Sequence, residues 1–181
     1  MARYRFGVGE YKYFSEPLPQ VVQEMRERMY ALLAAIANRW EAALKTRVRH
    51  AADLAGLLAL CARRGQKKPT PLLLRYEAGG YNCLHQDLYG EEVFPLQLTV
   101  LLSQPGKDFE GGEFLLVEQR PRAQSRGSVV HLEQGEAVIF TTRYRPAAGA
   151  RGSYRVNMRH GVSRVLSGER YTLGVIFHNA V

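Results

Sequence analysis

From residue 72 to residue 178 the sequence is a series of short β-type runs separated by turn residues, with no helical periodicity between them. The runs are LLLRY (72–76), the segment at 83–88, PLQLTVLL (95–102), GEFLLV (112–117), SVVHL (128–132), EAVIFTT (136–142), RHGVSRV (159–165) and YTLGVIFH (171–178). Gly79-Gly80, Pro105-Gly106, Gly111-Gly112, Gln134-Gly135, Gly149 and Ser167-Gly168 punctuate them. About eight short strands without intervening helices exclude a parallel α/β sheet and predict a sandwich or barrel.

Helical spacing is confined to the first third. Leu18, Val22, Met25, Met29, Leu32, Leu33, Ile36 and Trp40 recur every three or four positions over 17–44, with Glu24, Arg26, Glu27 and Arg28 between them. Ser15 or Glu16 precedes Pro17, a residue suited to a first helical turn, so the helix is expected to begin there. A shorter helix is expected over 51–64, through Leu54, Leu57, Leu58 and Cys61, ending near Gly65. These helices would buttress one face of the β unit. The fold class is therefore α+β, mainly β with N-terminal helices, in one domain: a helical support region over 1–68 and a β core over 69–181.

The chain's 181 residues can bury one full core, and 23% charged with 10% aromatic content excludes wholesale disorder. No run approaches the length of a membrane span, and the start MARYRFGVGEYKYF lacks the apolar stretch of a secretory leader. Two cysteines, Cys61 and Cys83, are too few for a disulfide framework, so a reducing, cytoplasmic setting is expected without a membrane partner. The net charge of +8 keeps nucleic acid among the partners to consider.

Five histidines are present, and His85 alone of the strand-borne candidates has an aspartate two residues on in a suitable setting, in Leu84-His85-Gln86-Asp87. Alternate strand residues share a face roughly 6.5–7 Å apart, so an imidazole and a carboxylate can reach a common point. A second imidazole from another strand, His160, would complete two histidines and one carboxylate on one side of an octahedral ion. Three positions then stay open, as in non-haem Fe(II) oxygenases. Arg170 follows at the head of the apolar strand 171–178. A guanidinium there is costly unless it meets an anion, and its fork suits a carboxylate. Thr172 points to the same face and would add a hydroxyl. His131-x-Glu133 repeats the spacing but is followed at once by Gly135, and no matching arginine pattern accompanies it. His178 reads as a strand-end histidine, and Gly7-Val8-Gly9 as a flexible turn.

Together, Tyr76, His85-x-Asp87, Gly111-Gly112-Glu113, His160 and Arg170 resemble the double-stranded β-helix (jelly roll) of the Fe(II)- and 2-oxoglutarate-dependent dioxygenases. The prolyl-hydroxylase-like branch is similar in layout. The runs LHQDLYGEEVFPLQLTVLLS, FEGGEF, EQRPRAQSR and MRHGVSRVLSGERYTLGVIFH resemble an uncharacterised bacterial subgroup of that superfamily, over roughly 70–180. Members of the subgroup carry more chain ahead of the strand-like YRFGVGEYKYF.

The resemblance implies that His85, Asp87 and His160 hold Fe(II), and that the cosubstrate 2-oxoglutarate chelates it and pairs with Arg170. With dioxygen (O2), decarboxylation to succinate is coupled to C–H oxidation. It also implies a cosubstrate contact for Tyr76. Gln97 and Thr99 share one face of the strand 95–102, and Thr99 would reach the cosubstrate if that face lines the barrel. The expected activity is hydroxylation of a polypeptide side chain or small molecule. The alternatives are oxidative demethylation of nucleic acid and a non-catalytic, cupin-like metal-binding sensor. Nine arginines between Arg120 and Arg164, and the polar loop 118–128, suggest docking of an anionic or polypeptide substrate.

Overall fold

The computed structural model describes Met1 and residues 6–181. Tyr4 and Arg5, at the head of the strand-like N-terminal run, lie outside the described residues. Two antiparallel six-stranded sheets face each other. The first contains β1 (Gly7–Val8), β4 (Tyr81–His85), β7 (Phe114–Gln119), β8 (Arg126–Val130), β10 (Tyr144–Gly149) and β11 (Gly152–Val162), in the order β1-β4-β11-β7-β8 with β10 also on β11. The second contains β2 (Glu10–Tyr13), β3 (Leu72–Glu77), β5 (Leu96–Leu101), β6 (Phe109–Gly111), β9 (Ala137–Thr141) and β12 (Val165–Ile176), in the order β2-β3-β12-β5-β9 with β6 also on β12. This is the sandwich expected from the strand-and-turn pattern, in the jelly-roll form implied by the family resemblance.

The helices α1 (Gln20–Ala43) and α2 (Leu54–Arg63) cover the outer face of the second sheet. Every residue of β5 is buried because the strand has two covered faces. Leu96, Leu98 and Val100 pack with Tyr30, Leu33, Leu57 and Cys61 from the helices, while the intervening Gln97, Thr99 and Leu101 point into the barrel. Phe94 and Phe177 extend that helix-side core, with ring centroids 4.7 Å (Tyr30–Phe94) and 5.4 Å (Phe94–Phe177) apart. Each such buried side chain contributes roughly 1.5–3 kcal/mol. Among the described residues no helix is long and apolar enough to cross a membrane.

Several boundaries differ from the sequence expectation. The first helix starts after Pro19, not at Pro17: Pro19 has ψ 137° and its carbonyl accepts from Val22 and Gln23. Leu18, preceding a proline, is disfavoured in helical geometry, so the earlier start is blocked. The second helix starts at Leu54, where the Asp53 carboxylate accepts the Gly56 N–H at 2.8 Å. Gly7-Val8-Gly9 is not a free turn, because Gly7 and Val8 pair with Asn82 and Tyr81. With β2 on β3, the strand-like N-terminal run ahead of the helices thus supplies an edge strand to each sheet. The hairpin of β10 and β11 over 144–158 was not foreseen. Ser167-Gly168 does not end a strand; it lies within β12, where the chain crosses β6 so closely that a Cβ on Gly168 (φ 73°) would sit 2.0 Å from the Asp108 carbonyl oxygen. Glycine is demanded there by close approach, a requirement that looks like turn propensity in sequence.

Candidate metal centre

Strand β11 alternates cleanly. Val156, Met158 and His160 are buried, whereas Arg155, Asn157 and Arg159 face outward. His160 is the register partner of His85 on β4 and of Leu116 on β7. Its ring packs against Phe140 (4.7 Å) and Phe114 (6.0 Å) and lies 4.2 Å from the His85 ring. Apolar packing therefore fixes the His160 ring, whose Nδ1 has no hydrogen-bond partner among the described residues.

Asp87 reaches the pair by a different route from the one the strand spacing suggests. β4 ends at His85, and the Gln86 amide donates to the carbonyls of Arg143 (2.9 Å) and Met158 (2.7 Å), drawing the chain out of the ladder. The carboxylate then turns in: Oδ1 lies 3.5 Å from His85 Nε2 and Oδ2 lies 3.2 Å from His160 Nε2. One donor atom from each residue falls within 4.8 Å of the others, close enough to share one ion. Because the Cys83 carbonyl accepts from His85 Nδ1 at 2.7 Å, that nitrogen carries the proton and Nε2 keeps its lone pair toward the centre.

The electrostatics suit a cation. Burial raises the Asp87 pKa, but facing His160 and then His85 outweigh it and hold the carboxyl well below its usual range. Burial pushes the His160 pKa down against the pull of Asp87, which favours the neutral ligand form. At mostly buried His85 the burial is outweighed by Asp87 and the Cys83 carbonyl, and the pKa rises. Two residues that the sequence reading did not single out complete the surroundings. Tyr89 donates its hydroxyl to Asp87 Oδ1 at 2.7 Å, and buried Asn82 donates to the Tyr76 hydroxyl at 3.2 Å. Tyr89 sits two residues beyond Asp87, a spacing that carries no signal by itself.

The three donors line a cavity of about 240 Å³ that also admits Arg170, Thr172, Tyr76, Gln97 and Thr99. Arg170 is 2% exposed, yet its Nε and Nη1 find no partner among the described residues. Burial lowers its pKa to about 10, so it remains cationic at neutral pH. Such a group is costly unless an anion enters. Gly112 (φ 62°) makes room for it, since a Cβ there would meet Arg170 Cδ at 2.9 Å. Thr99 and Thr172 are buried on this cavity, and the Thr99 hydroxyl donates to the Leu173 carbonyl at 3.2 Å. Gln97 Nε2 is buried there without a partner among the described residues. Burial pushes the Tyr76 hydroxyl up to about 12, so it stays a neutral donor.

Exposed His131 and Glu133 border a neighbouring cavity of about 200 Å³, which Arg170 also lines, and join no metal-competent group among the described residues. His178 is a fully buried core residue. The donor set of two imidazoles and one carboxylate, with an unpaired buried guanidinium in the same cavity, fits Fe(II) and a dicarboxylate cosubstrate.

A family model described as an oxygenase catalysing oxidative methylation of damaged DNA, Oxygenase-NA, matches residues 9–180. Uncharacterised proteins from two strains of Mycobacterium tuberculosis are 48% identical to the chain over 167 residues, which cover 92% of this chain and 72% of theirs. Among solved structures, a Pseudomonas putida prolyl-4-hydroxylase aligns with TM-score 0.56 and 14% identity, over 99% of this chain and 76% of its own. A viral collagen prolyl hydroxylase from Paramecium Bursaria Chlorella virus-1 aligns with TM-score 0.52 and 17% identity, over 98% and 82%. At those identities the two likenesses speak for the fold.

Proposed function

The chain belongs to the Oxygenase-NA family; on that premise we propose that it is an Fe(II)/2-oxoglutarate dioxygenase that oxidises methyl groups carried by nucleic-acid bases. Fe(II) would be held by His85, Asp87 and His160, and 2-oxoglutarate would set its far carboxylate on Arg170. The observation that carries the chemistry is one cavity presenting three convergent metal donors and a buried, unpaired guanidinium. The description attached to the family favours DNA as substrate.

When bound, iron, 2-oxoglutarate and O2 supply the oxidant, and succinate and CO2 are released. That chemistry would hydroxylate the methyl group of a base and release it as formaldehyde. The protein supplies positioning and a dry cavity. Asp87 offsets part of the metal's charge, and His85, oriented through Cys83, presents Nε2. Arg170 and the hydroxyls of Thr172 and Tyr76 fix the cosubstrate's carboxylate end. Phe114 and Phe140 shield the His160 side of the centre from water.

The polypeptide hydroxylase expected from the sequence has the jelly-roll likeness in its favour, and a shared fold is a weak warrant for substrate. A cupin-like sensor would have no use for an unpaired buried arginine lining the same cavity as the donors. The decisive assay measures succinate and formaldehyde released from a base-methylated single-stranded oligonucleotide, against the unmethylated strand and a His160→Ala control. Stoichiometric formaldehyde from the methylated strand alone is expected. Succinate formation indifferent to methylation would overturn the nucleic-acid assignment and leave the oxygenase chemistry standing.

A further inference from the structure

We propose that Arg120, Arg126 and Arg145 form a docking site for the phosphates of single-stranded nucleic acid beside the metal centre, organised by the buried carboxylate of Glu118. The inference rests on the nucleic-acid reading above. Between residues 118 and 164 the chain holds nine arginines and three acidic residues, six of its eight net positive charges. Three of those arginines, from three elements, converge on Glu118. Arg145 of β10 reaches Oε2 at 2.6 Å, Arg120 beyond β7 reaches Oε1 at 3.1 Å, and Arg126 of β8 reaches Oε1 at 3.5 Å.

Register places this cluster on the metal's side of the sheet. Leu116 is opposite His160 and Glu118 is opposite Met158. Phe114, two residues before Leu116, stacks on the His160 ring, so Phe114, Leu116 and Glu118 share the face that carries His160. Glu118 is therefore roughly 7 Å along the strand from the level of His160.

The charge does not balance within the cluster. One carboxylate with about four lone-pair sites faces three guanidiniums with five N–H donors each. The Glu118 side chain is 9% exposed, whereas those of Arg145, Arg120 and Arg126 are 31%, 46% and 71% exposed, so anchored donors remain open to solvent. Glu118 aims the forks, and the surplus charge awaits oxyanions. Planar forks suit phosphate, and three forks gathered around one carboxylate offer a compact cationic cluster to the backbone of an extended strand. An enzyme that oxidises a base must receive it out of the duplex stack, and backbone contacts near the metal would hold such a strand.

The test is fluorescence anisotropy of a labelled oligothymidylate titrated with the full chain at several salt concentrations. The double variant Arg120→Ala/Arg126→Ala keeps the Arg145–Glu118 pair and thus the buried carboxylate's partner. Arg126→Glu, at the most exposed position, is the second variant. Both are expected to unfold within roughly 2 °C of wild type. For the double variant, binding at low salt should weaken by on the order of tenfold, and the slope of log K against log salt should shrink by about 1.4, about 0.7 per phosphate contact. Arg126→Glu should weaken binding in the same direction. Wild-type binding that both variants reproduce in affinity and slope would overturn the docking site while leaving the nucleic-acid reading intact. A wild type that binds no oligonucleotide but binds poly-glutamate would overturn both and assign the arginines to an acidic polypeptide.

Discussion

Arg170 faces Tyr76 directly across the β12–β3 ladder, and its guanidinium carbon lies 5.8 Å from the Tyr76 ring and 5.8 Å from the Phe109 ring. The aromatic walls hold the cation in place without consuming its N–H donors. Arg170→Ala is therefore expected to weaken 2-oxoglutarate binding by roughly 10–150-fold, the size of a lost charge-assisted contact of about 1.5–3 kcal/mol. Anaerobic titration of the metal-to-ligand absorption band measures it, with Fe(II) affinity followed separately. Equal losses for metal and cosubstrate would contradict this role.

Tyr89 donates its hydroxyl to Asp87 and would act on the proposed metal through it. Tyr89→Phe should lower Fe(II) affinity by roughly 10-fold, within the range for a lost partner of a ligand. The Tyr89 pKa is raised by burial and by the Asp87 charge, so its hydroxyl stays a donor throughout the working pH range. Competition with a chelator checks this, and unaltered affinity would leave Tyr89 a packing residue.

What sequence conveys depends on whether the signal is periodic. The helical repeat through Val22 and Leu33 expresses burial directly, and α1 lies inside the 17–44 expected from it. The β alternation of Val156, Met158 and His160 expresses burial as directly, but the run read as a strand began only at Arg159 and missed the first half of β11. The spacing of His85 and Asp87 pointed to a shared target, yet the geometry comes from a loop pulled inward by Gln86, a long-range bond to residues 143 and 158. Tyr89 and Asn82 likewise act through contacts that no local pattern encodes. Arg26 was read as part of the polar face of α1, but it is fully buried under the β12 end. Its charge looks solvated until tertiary structure supplies carbonyl acceptors.

Gly112 is required twice, by its left-handed backbone and by its neighbours. In Gly112→Ala the methyl would meet both Arg170 Cδ and Val165 Cγ2 at 2.9 Å. The expected cost is about 1–2 kcal/mol, a fall in Tm of roughly 2–8 °C. The same variant should weaken 2-oxoglutarate binding by displacing Arg170, and adding Arg170→Ala should then cost little further affinity. Additive losses would show that Gly112 acts on backbone stability alone.

Arg26 joins α1 to the end of the second sheet, donating to the Phe177 carbonyl at 2.6 Å and to Asn179 Oδ1 at 2.7 Å. Arg26→Met keeps much of the volume but leaves both buried acceptors unsatisfied. A loss of about 2–6 kcal/mol is expected in urea unfolding, from two orphaned groups at roughly 1–3 kcal/mol each. A change below about 0.5 kcal/mol would mean that water or a rearranged donor replaces the guanidinium.

His178 gives the fold a pH dependence of its own. The side chain is fully buried, and its Nδ1 accepts the Phe94 N–H at 3.3 Å, which requires an unprotonated nitrogen. Burial, with the Arg26 charge adding and the Asp87 charge opposing, pushes the pKa from 6.5 down to about 4. Between those values the unfolded chain binds a proton that the folded chain does not, so stability must rise with pH. The contribution is full above pH 6.5 and is lost as the pH falls toward 4, amounting to about 3 kcal/mol over the window. His50, whose pKa burial also lowers against Glu41, adds in the same direction, so only a difference measurement isolates His178. In His178→Asn an amide oxygen can take over the Nδ1 acceptor role without titrating. Urea unfolding of the metal-free protein at pH 7, 6, 5 and 4.5 should show a shallower loss in His178→Asn than in wild type. Parallel curves would show that His178 either stays charged in the folded state or escapes protonation in the unfolded one.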